Sequence, residues 1–241
     1  MTSKACRVLA VVCLTTAAGT ALSDDGELPS ACRLFAGDVA VVSQTLYMHQ
    51  EDVSHRLSVP KVYFEDPWDR VDHGVYEAQL FSVEIEALDP VARPGTTERL
   101  RDGHREYMTF VLHDLVPMPD LLNIVVRSVD PFASRTVEGF KDAPLSLLDD
   151  VPADHGLTEF VSRKRKDPRK NVFAARDSAG NLTAILGCRP IGQSLNPNCN
   201  HAMRAHGIDV RINYRRTCLP DWARKRADVT DFIRCALTVA T

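Results

Sequence analysis

Ile208-Asp209-Val210-Arg211-Ile212-Asn213-Tyr214-Arg215 alternates apolar and polar residues without a break. Successive side chains of an extended backbone point to opposite faces. This period of two therefore puts Ile208, Val210, Ile212 and Tyr214 on a buried face and Asp209, Arg211, Asn213 and Arg215 on a wetter one. The stretch is a half-buried strand. Gly207 precedes it and His201–His206 precedes the glycine, so the two segments read as a hairpin.

Working outward, Asn171–Arg176 and Leu182–Cys188 flank the turn-rich link Asp177-Ser178-Ala179-Gly180-Asn181, the composition of a second hairpin. On the other side, Pro220 suits the first turn of a helix, where its missing N–H has no partner to lose. Trp222, Val229, Phe232, Ile233 and Ala236 then recur at helical spacing, with Arg224, Asp231 and Arg234 opposite. Hairpin, hairpin, helix predicts an antiparallel sheet with a C-terminal helix packed on one face. Further candidate strands at Val39–Ser43, Leu57–Phe64, Val75–Leu88, Met108–Val116 and Leu121–Val129 place the chain in the α+β class. Thr136–Asp154, punctuated by Pro144, Pro152 and Asp149-Asp150, reads as a loop holding a short helix at Leu145–Asp149. No internal repeat or low-complexity segment interrupts the pattern.

The start of the 241-residue chain reads as an export signal. Lys4 and Arg7 precede an apolar run from Val8 to Gly19, and Ala21-Leu22-Ser23 supplies small residues for cleavage. The run is too short for a membrane span, which needs about 20 apolar residues. Neither Cys13, inside the apolar run, nor Cys32, after Pro29-Ser30-Ala31, suits a lipidation site. The expectation is a signal peptide at 1–23 and a soluble, periplasmic or secreted protein at 24–241. That segment reads as one domain, with 155–170 as the region where two subdomains would divide. With 44% hydrophobic and 25% charged residues, the composition is globular and excludes a collagen-like or disordered chain.

Five cysteines follow the cleavage site, four of them between Cys188 and Cys235. In an oxidising compartment they are expected to pair and leave one over. The local pairs Cys188–Cys199 and Cys218–Cys235 are preferred, with Cys32 free, although sequence leaves fifteen arrangements open.

The net charge of −3 conceals a separation. Asp24–Pro90 carries 14 acidic and 4 basic residues, and Val91–Thr158 carries 11 and 7. From Glu159 to the end the balance reverses, to 7 acidic and 16 basic. The densest basic stretch holds Arg163, Lys164, Arg165, Lys166, Arg169 and Lys170, the candidate partner-binding residues. Only Phe160 and Phe173 are near to stack bases, so a nucleic-acid partner is not expected. A solvated loop balanced by the acidic front half is the alternative to a partner surface.

No motif specifies a reaction. Cys188, Cys199, His201 and His206 give the spacing C-x10-C-x-H-x4-H, and thiolates with imidazoles can bind zinc. The spacing is not that of a zinc finger, and export favours a disulfide, so no metal and no cofactor are expected. Ser58-Val59-Pro60-Lys61 matches S-x-x-K formally, but Pro60 opposes the helical turn that this chemistry needs. Glu65, Asp66, Asp69 and Asp72, with His73 near Trp68, lack calcium-loop spacing and read as a solvated acidic turn. Asp102, His104 and Glu106 carry no stronger signal. Nucleophile-elbow, dinucleotide, P-loop and H-E-x-x-H patterns are absent from the sequence.

Cys188, Asn196-Pro197-Asn198-Cys199, His201 and Asp209–Arg216 running into Leu219-Pro220-Asp221-Trp222 resemble the ending of a group of small exported proteobacterial proteins. Val59-Pro60-Lys61-Val62-Tyr63-Phe64 resembles a proline-tyrosine element of the same group. These are immunity-type proteins encoded beside type VI secretion effectors. The resemblance covers about 70 residues. It implies a non-catalytic periplasmic protein that binds a protein partner and neutralises a toxin. This chain departs from the group in lacking a lipidation site and in adding Cys218 and Cys235. The competing expectation is an exported hydrolase or metal-dependent enzyme built from scattered residues, His201, His206 and the acidic turn.

Overall fold

The computed structural model describes residues 29–92, 95–101, 107–130 and 147–238. Residues 1–23, expected to be an export signal, and the trio Asp102, His104 and Glu106 lie outside the described residues. Two sheets organise the chain. The smaller joins β1 (Val41–Met48) to β2 (Val53–Pro60) antiparallel and to β3 (Val75–Tyr76) parallel. The larger has eight strands, antiparallel throughout. They are β4 (Ala78–Glu84), β5 (Tyr107–His113), β6 (Leu148–Ala153), β7 (Leu157–Ser162), β8 (Asn171–Arg176), β9 (Leu182–Cys188), β10 (Asn198–Ala205) and β11 (Ile208–Arg215). Their order is β4-β5-β11-β10-β9-β8-β7-β6, so pairing of β5 with β11 joins the front half of the chain to the back.

The alternating stretch forms β11 and sits inside the sheet. Its turn with β10 is His206-Gly207, both with positive φ (51° and 81°), as a two-residue hairpin requires. The helix follows a 3-10 turn at Arg216–Asp221, so Pro220 lies just before α3 (Trp222–Thr238) rather than inside it. Helix α1 is Gly95–Arg101 and α2 is Met118–Val125.

α3 packs on one face of the large sheet. Phe232 lies 5.2 Å from the Phe81 ring of β4 and 5.1 Å from Phe110 of β5. It also meets Tyr63 at 4.9 Å and Phe35 at 5.0 Å, which closes the main core. Among the described residues the opposite face is only partly covered. There Leu121 and Leu122 of α2, with Val126 and Val129, pack on Phe160, Val172, Ala174, Ile185 and Ala202.

Several expectations change. Leu121–Val129 is α2 and a 3-10 turn, not a strand. Its apolar residues suit either period, and Pro117 and Pro119 at the start favour the helix. Leu148–Ala153, expected partly as a helix, is edge strand β6, where Pro152 costs no ladder bond on the open side. Val75–Leu88 divides between the two sheets as β3 and β4. β1 runs to Met48, its buried phase continuing through Val42, Gln44, Leu46 and Met48, and the polar Gln44 fits that phase by donating its side-chain amide to the Asp69 carbonyl (2.6 Å).

The cysteine pairing also changes. Cys188 and Cys199 face each other across β9 and β10 and are bonded. Cys235, however, is bonded to Cys32, which ties the N-terminal 3-10 turn Ser30–Cys32 to α3, and the buried Cys218 is the thiol outside both disulfides. Cys218 precedes a helix of 17 residues and Cys235 lies in its last turn. Such a helix is about 25 Å long, far beyond the ~7 Å between Cα atoms that a disulfide tolerates. Closeness in sequence misleads because a rigid helix separates the two ends.

Candidate functional site

On the face of the large sheet away from α3, β11 presents Arg211, Asn213 and Arg215, while β10 presents Asn198 and Asn200. Asn213 donates to the Asn200 side-chain oxygen (2.8 Å), and Asn198 donates to that of Asn213 (3.3 Å), an amide ladder across the two strands. α2 stops short of this region.

Where α2 ends, three loops converge. Arg169 and Lys170 approach β8, Arg189 leaves β9, and Ser128 closes the turn after α2. The Arg169 and Lys170 amides donate to the Ser128 carbonyl at 2.9 and 3.4 Å. Gly187 makes room, since a Cβ there would lie 3.4 Å from Val125 and 3.5 Å from the Lys170 Cδ. The result is an open cleft of about 410 Å³ lined by Ser128, Arg169, Lys170, Arg189 and Gln193. Arg216 braces its wall by donating to Asn171 Oδ1 (2.6 Å) and to the Arg189 carbonyl (2.7 Å).

The charges acting on Lys170 are all of one sign. Partial burial, then the Arg189 and Arg211 guanidinium groups, lowers the pKa of the Lys170 ammonium below its ordinary value. Among the described residues no carboxylate forms an ion pair with Lys170, Arg189 or Arg211. Other arginines are paired: Arg163 with Asp149 (2.7 Å), Arg224 with Glu86 (2.8 Å), Arg204 with Glu51 and Arg33 with Asp89. Unneutralised cations that repel each other in a partly desolvated cleft favour an incoming anion, and guanidinium groups suit carboxylates through paired N–H donors.

The six basic residues expected to bind a partner are thus divided by the fold. Arg169 and Lys170 enter the cleft. Arg163 is held by Asp149, and Arg165 donates to the Asp167 carbonyl (2.9 Å). Lys164 and Lys166 are exposed in the same loop. Sequence reasoning misses Ser128, Arg189, Gln193 and Arg211. Arg211 is legible as the wet phase of β11, but Arg189 comes beside Lys170 only through the β8–β9 pairing.

The residues of the enzyme alternative are not assembled. His201 is buried in the core, where desolvation and then Arg226 press its pKa down to about 3. His206 is exposed in the β10–β11 turn. Glu65 accepts hydrogen bonds from Ser82 and Thr96, and Asp72 accepts one from the Ser43 amide (2.7 Å), so both brace loops. Among the described residues no three His, Cys, Asp or Glu side chains are placed to hold a metal ion. No helix among them is long and apolar enough to cross a membrane.

Fold and cleft together define an α+β protein with one sheet face closed by a helix and the other, among the described residues, partly open and cationic. No protein-family model and no curated protein matches the chain. Among solved structures the fold is similar to that of an immunity protein of the Stenotrophomonas maltophilia type IV secretion system. Identity is 16% over 81% of this chain and 93% of that one, with a TM-score of 0.54. The Neisseria meningitidis iron-regulated outer membrane lipoprotein FrpD matches at 12% identity over 88% of this chain and 96% of its own, with a TM-score of 0.48. The first likeness is one of fold. It is to an immunity protein of a type IV system, whereas the resemblance in sequence is to proteins associated with type VI.

Proposed function

We propose that the mature chain, 24–241, is a single α+β domain that acts in the periplasm as a non-catalytic binder of a protein partner, of the immunity type that neutralises a toxin. The observation that carries this reading is the set of Lys170, Arg189 and Arg211, gathered on an open sheet face with no carboxylate paired to them among the described residues. Lys164, Lys166 and Arg169 extend the surface, and Arg163 and Arg165 flank it. The export signal read at 1–23 and the two disulfides support a location in an oxidising compartment. The fold shared with an immunity protein is in line with the same reading. A cationic recognition surface speeds encounter with an acidic partner and makes it salt-sensitive.

Purification of the tagged mature chain from its native envelope at low salt tests the reading. One stoichiometric protein partner, released as salt rises, is expected. A chain recovered alone would contradict it.

A further inference from the structure

The loop between Cys188 and Cys199 carries the two most solvent-exposed large aliphatic side chains among the described residues, Ile191 at 80% and Leu195 at 100%. Isolated exposed apolar residues are ordinary. These two sit on a loop that is held at several points. The disulfide pins its ends, the Arg189 amide donates to the Asn198 carbonyl (2.9 Å), and the Arg216 amide donates to that of Pro197 (2.9 Å). Gln193 reaches across to the Pro168 carbonyl (3.4 Å), joining this loop to the basic one. Pro190 and Pro197 restrict the backbone further. The same loop supplies Arg189 and Gln193 to the cationic cleft.

Resting on the protein-binding reading above, we infer that Ile191 and Leu195 are the apolar anchors of that interface, presented by the disulfide-closed loop to an acidic protein surface that has an apolar recess. Charge complementarity selects the partner. Arg169, Lys170, Arg189 and Arg211 beside the anchors repel a basic surface and attract a carboxylate-rich one. A loop ordered before contact loses little conformational entropy on binding, and buried anchors at the centre of a polar rim carry most of an interface's energy. The Cys188–Cys199 bond makes this surface dependent on oxidation.

A photo-reactive benzophenone side chain placed at Leu195, and in a second strain at Trp68, tests this in the native envelope. Trp68 is also exposed but lies beside β1. The Leu195 position is expected to give one protein adduct, and the Trp68 position none. The adduct should fall about tenfold or more with Lys170→Glu/Arg189→Glu, and also with Cys188→Ser/Cys199→Ser. In the cysteine variant Cys32–Cys235 still ties the chain, and circular dichroism checks the fold. A soluble probe, a short peptide alternating Glu and Leu, should bind the mature chain about tenfold more tightly than Ile191→Ser/Leu195→Ser. A peptide alternating Lys and Leu should not compete. An adduct from Trp68 alone overturns this inference and leaves protein binding standing, as does equal peptide binding by wild type and variant. No adduct from either position, with the chain recovered alone, overturns both.

Discussion

His201 lies in β10 with its ring edge-on to Tyr214 (6.1 Å) and Trp222 (5.9 Å), and it is fully buried. An unfolded chain takes up a proton there at the ordinary 6.5, whereas the folded protein resists protonation down to about 3. Over that interval the unfolded state binds more protons, so stability is present above pH 6.5 and is lost progressively as pH falls toward 3. His201→Phe is expected to flatten the fall in melting temperature between pH 6.5 and 4, measured by thermal denaturation across pH. Lys225 is the other fully buried basic side chain among the described residues. Its Nζ sits 3.9 Å from an Asp221 carboxylate oxygen and 5.7 Å from the centre of the Tyr214 ring, with no hydrogen-bond partner among the described residues. A buried charge with such long-range partners contributes little net stability, so Lys225→Met should be neutral or stabilising by about 1–4 kcal/mol in urea denaturation. Helical spacing already puts Lys225 on the apolar stripe, three residues after Trp222 and four before Val229. Its charge hides that position from a reading built on apolar residues.

The elements with a clean local signal are legible in the sequence itself: β11 from period two, β8 and β9 from the turn-rich link between them, and α3 from its apolar stripe. α2 is not, because a short apolar run fits a buried strand and a helix alike. β6 escapes because Pro152 argues against a central strand, and only the topology reveals that β6 is an edge. The cleft is half legible. Arg169 and Lys170 stand in a visible basic run, while Arg189 and Arg211 reach them through strand order that no local pattern encodes. The disulfides are legible where β9 pairs with β10 and illegible where the tie spans the whole chain. The same contrast sets their energetic roles. Cys32–Cys235 closes a sequence separation of 203 residues and Cys188–Cys199 one of 11. In the chain-entropy account the long loop contributes about 5 kcal/mol and the short one about 3. Cys32→Ser/Cys235→Ser should therefore lower the urea midpoint more than Cys188→Ser/Cys199→Ser. The second variant should show its larger effect on binding.

At the scale of the molecule, the acidic front and basic back of the sequence fold against each other. Arg204 of β10 meets Glu51, Arg224 of α3 meets Glu86, and Arg33 meets Asp89. The first two bring back-half bases to front-half acids, so folding neutralises part of the polarity that the sequence displays. Lys170 and Arg189 line the open cleft, Arg211 is exposed on β11 and acts on Lys170, and all three stand apart from this pairing, which makes them the part of the charge separation available to another molecule. The binding constant of residues 24–241 for the proposed envelope partner, compared with that of Lys170→Glu/Arg189→Glu/Arg211→Glu across a salt series, tests this most directly. Wild-type affinity should weaken about tenfold or more as salt rises through the physiological range. The reversed variant should bind more weakly than wild type, most of all at low salt. Equal affinity for both proteins, unchanged by salt, would contradict it.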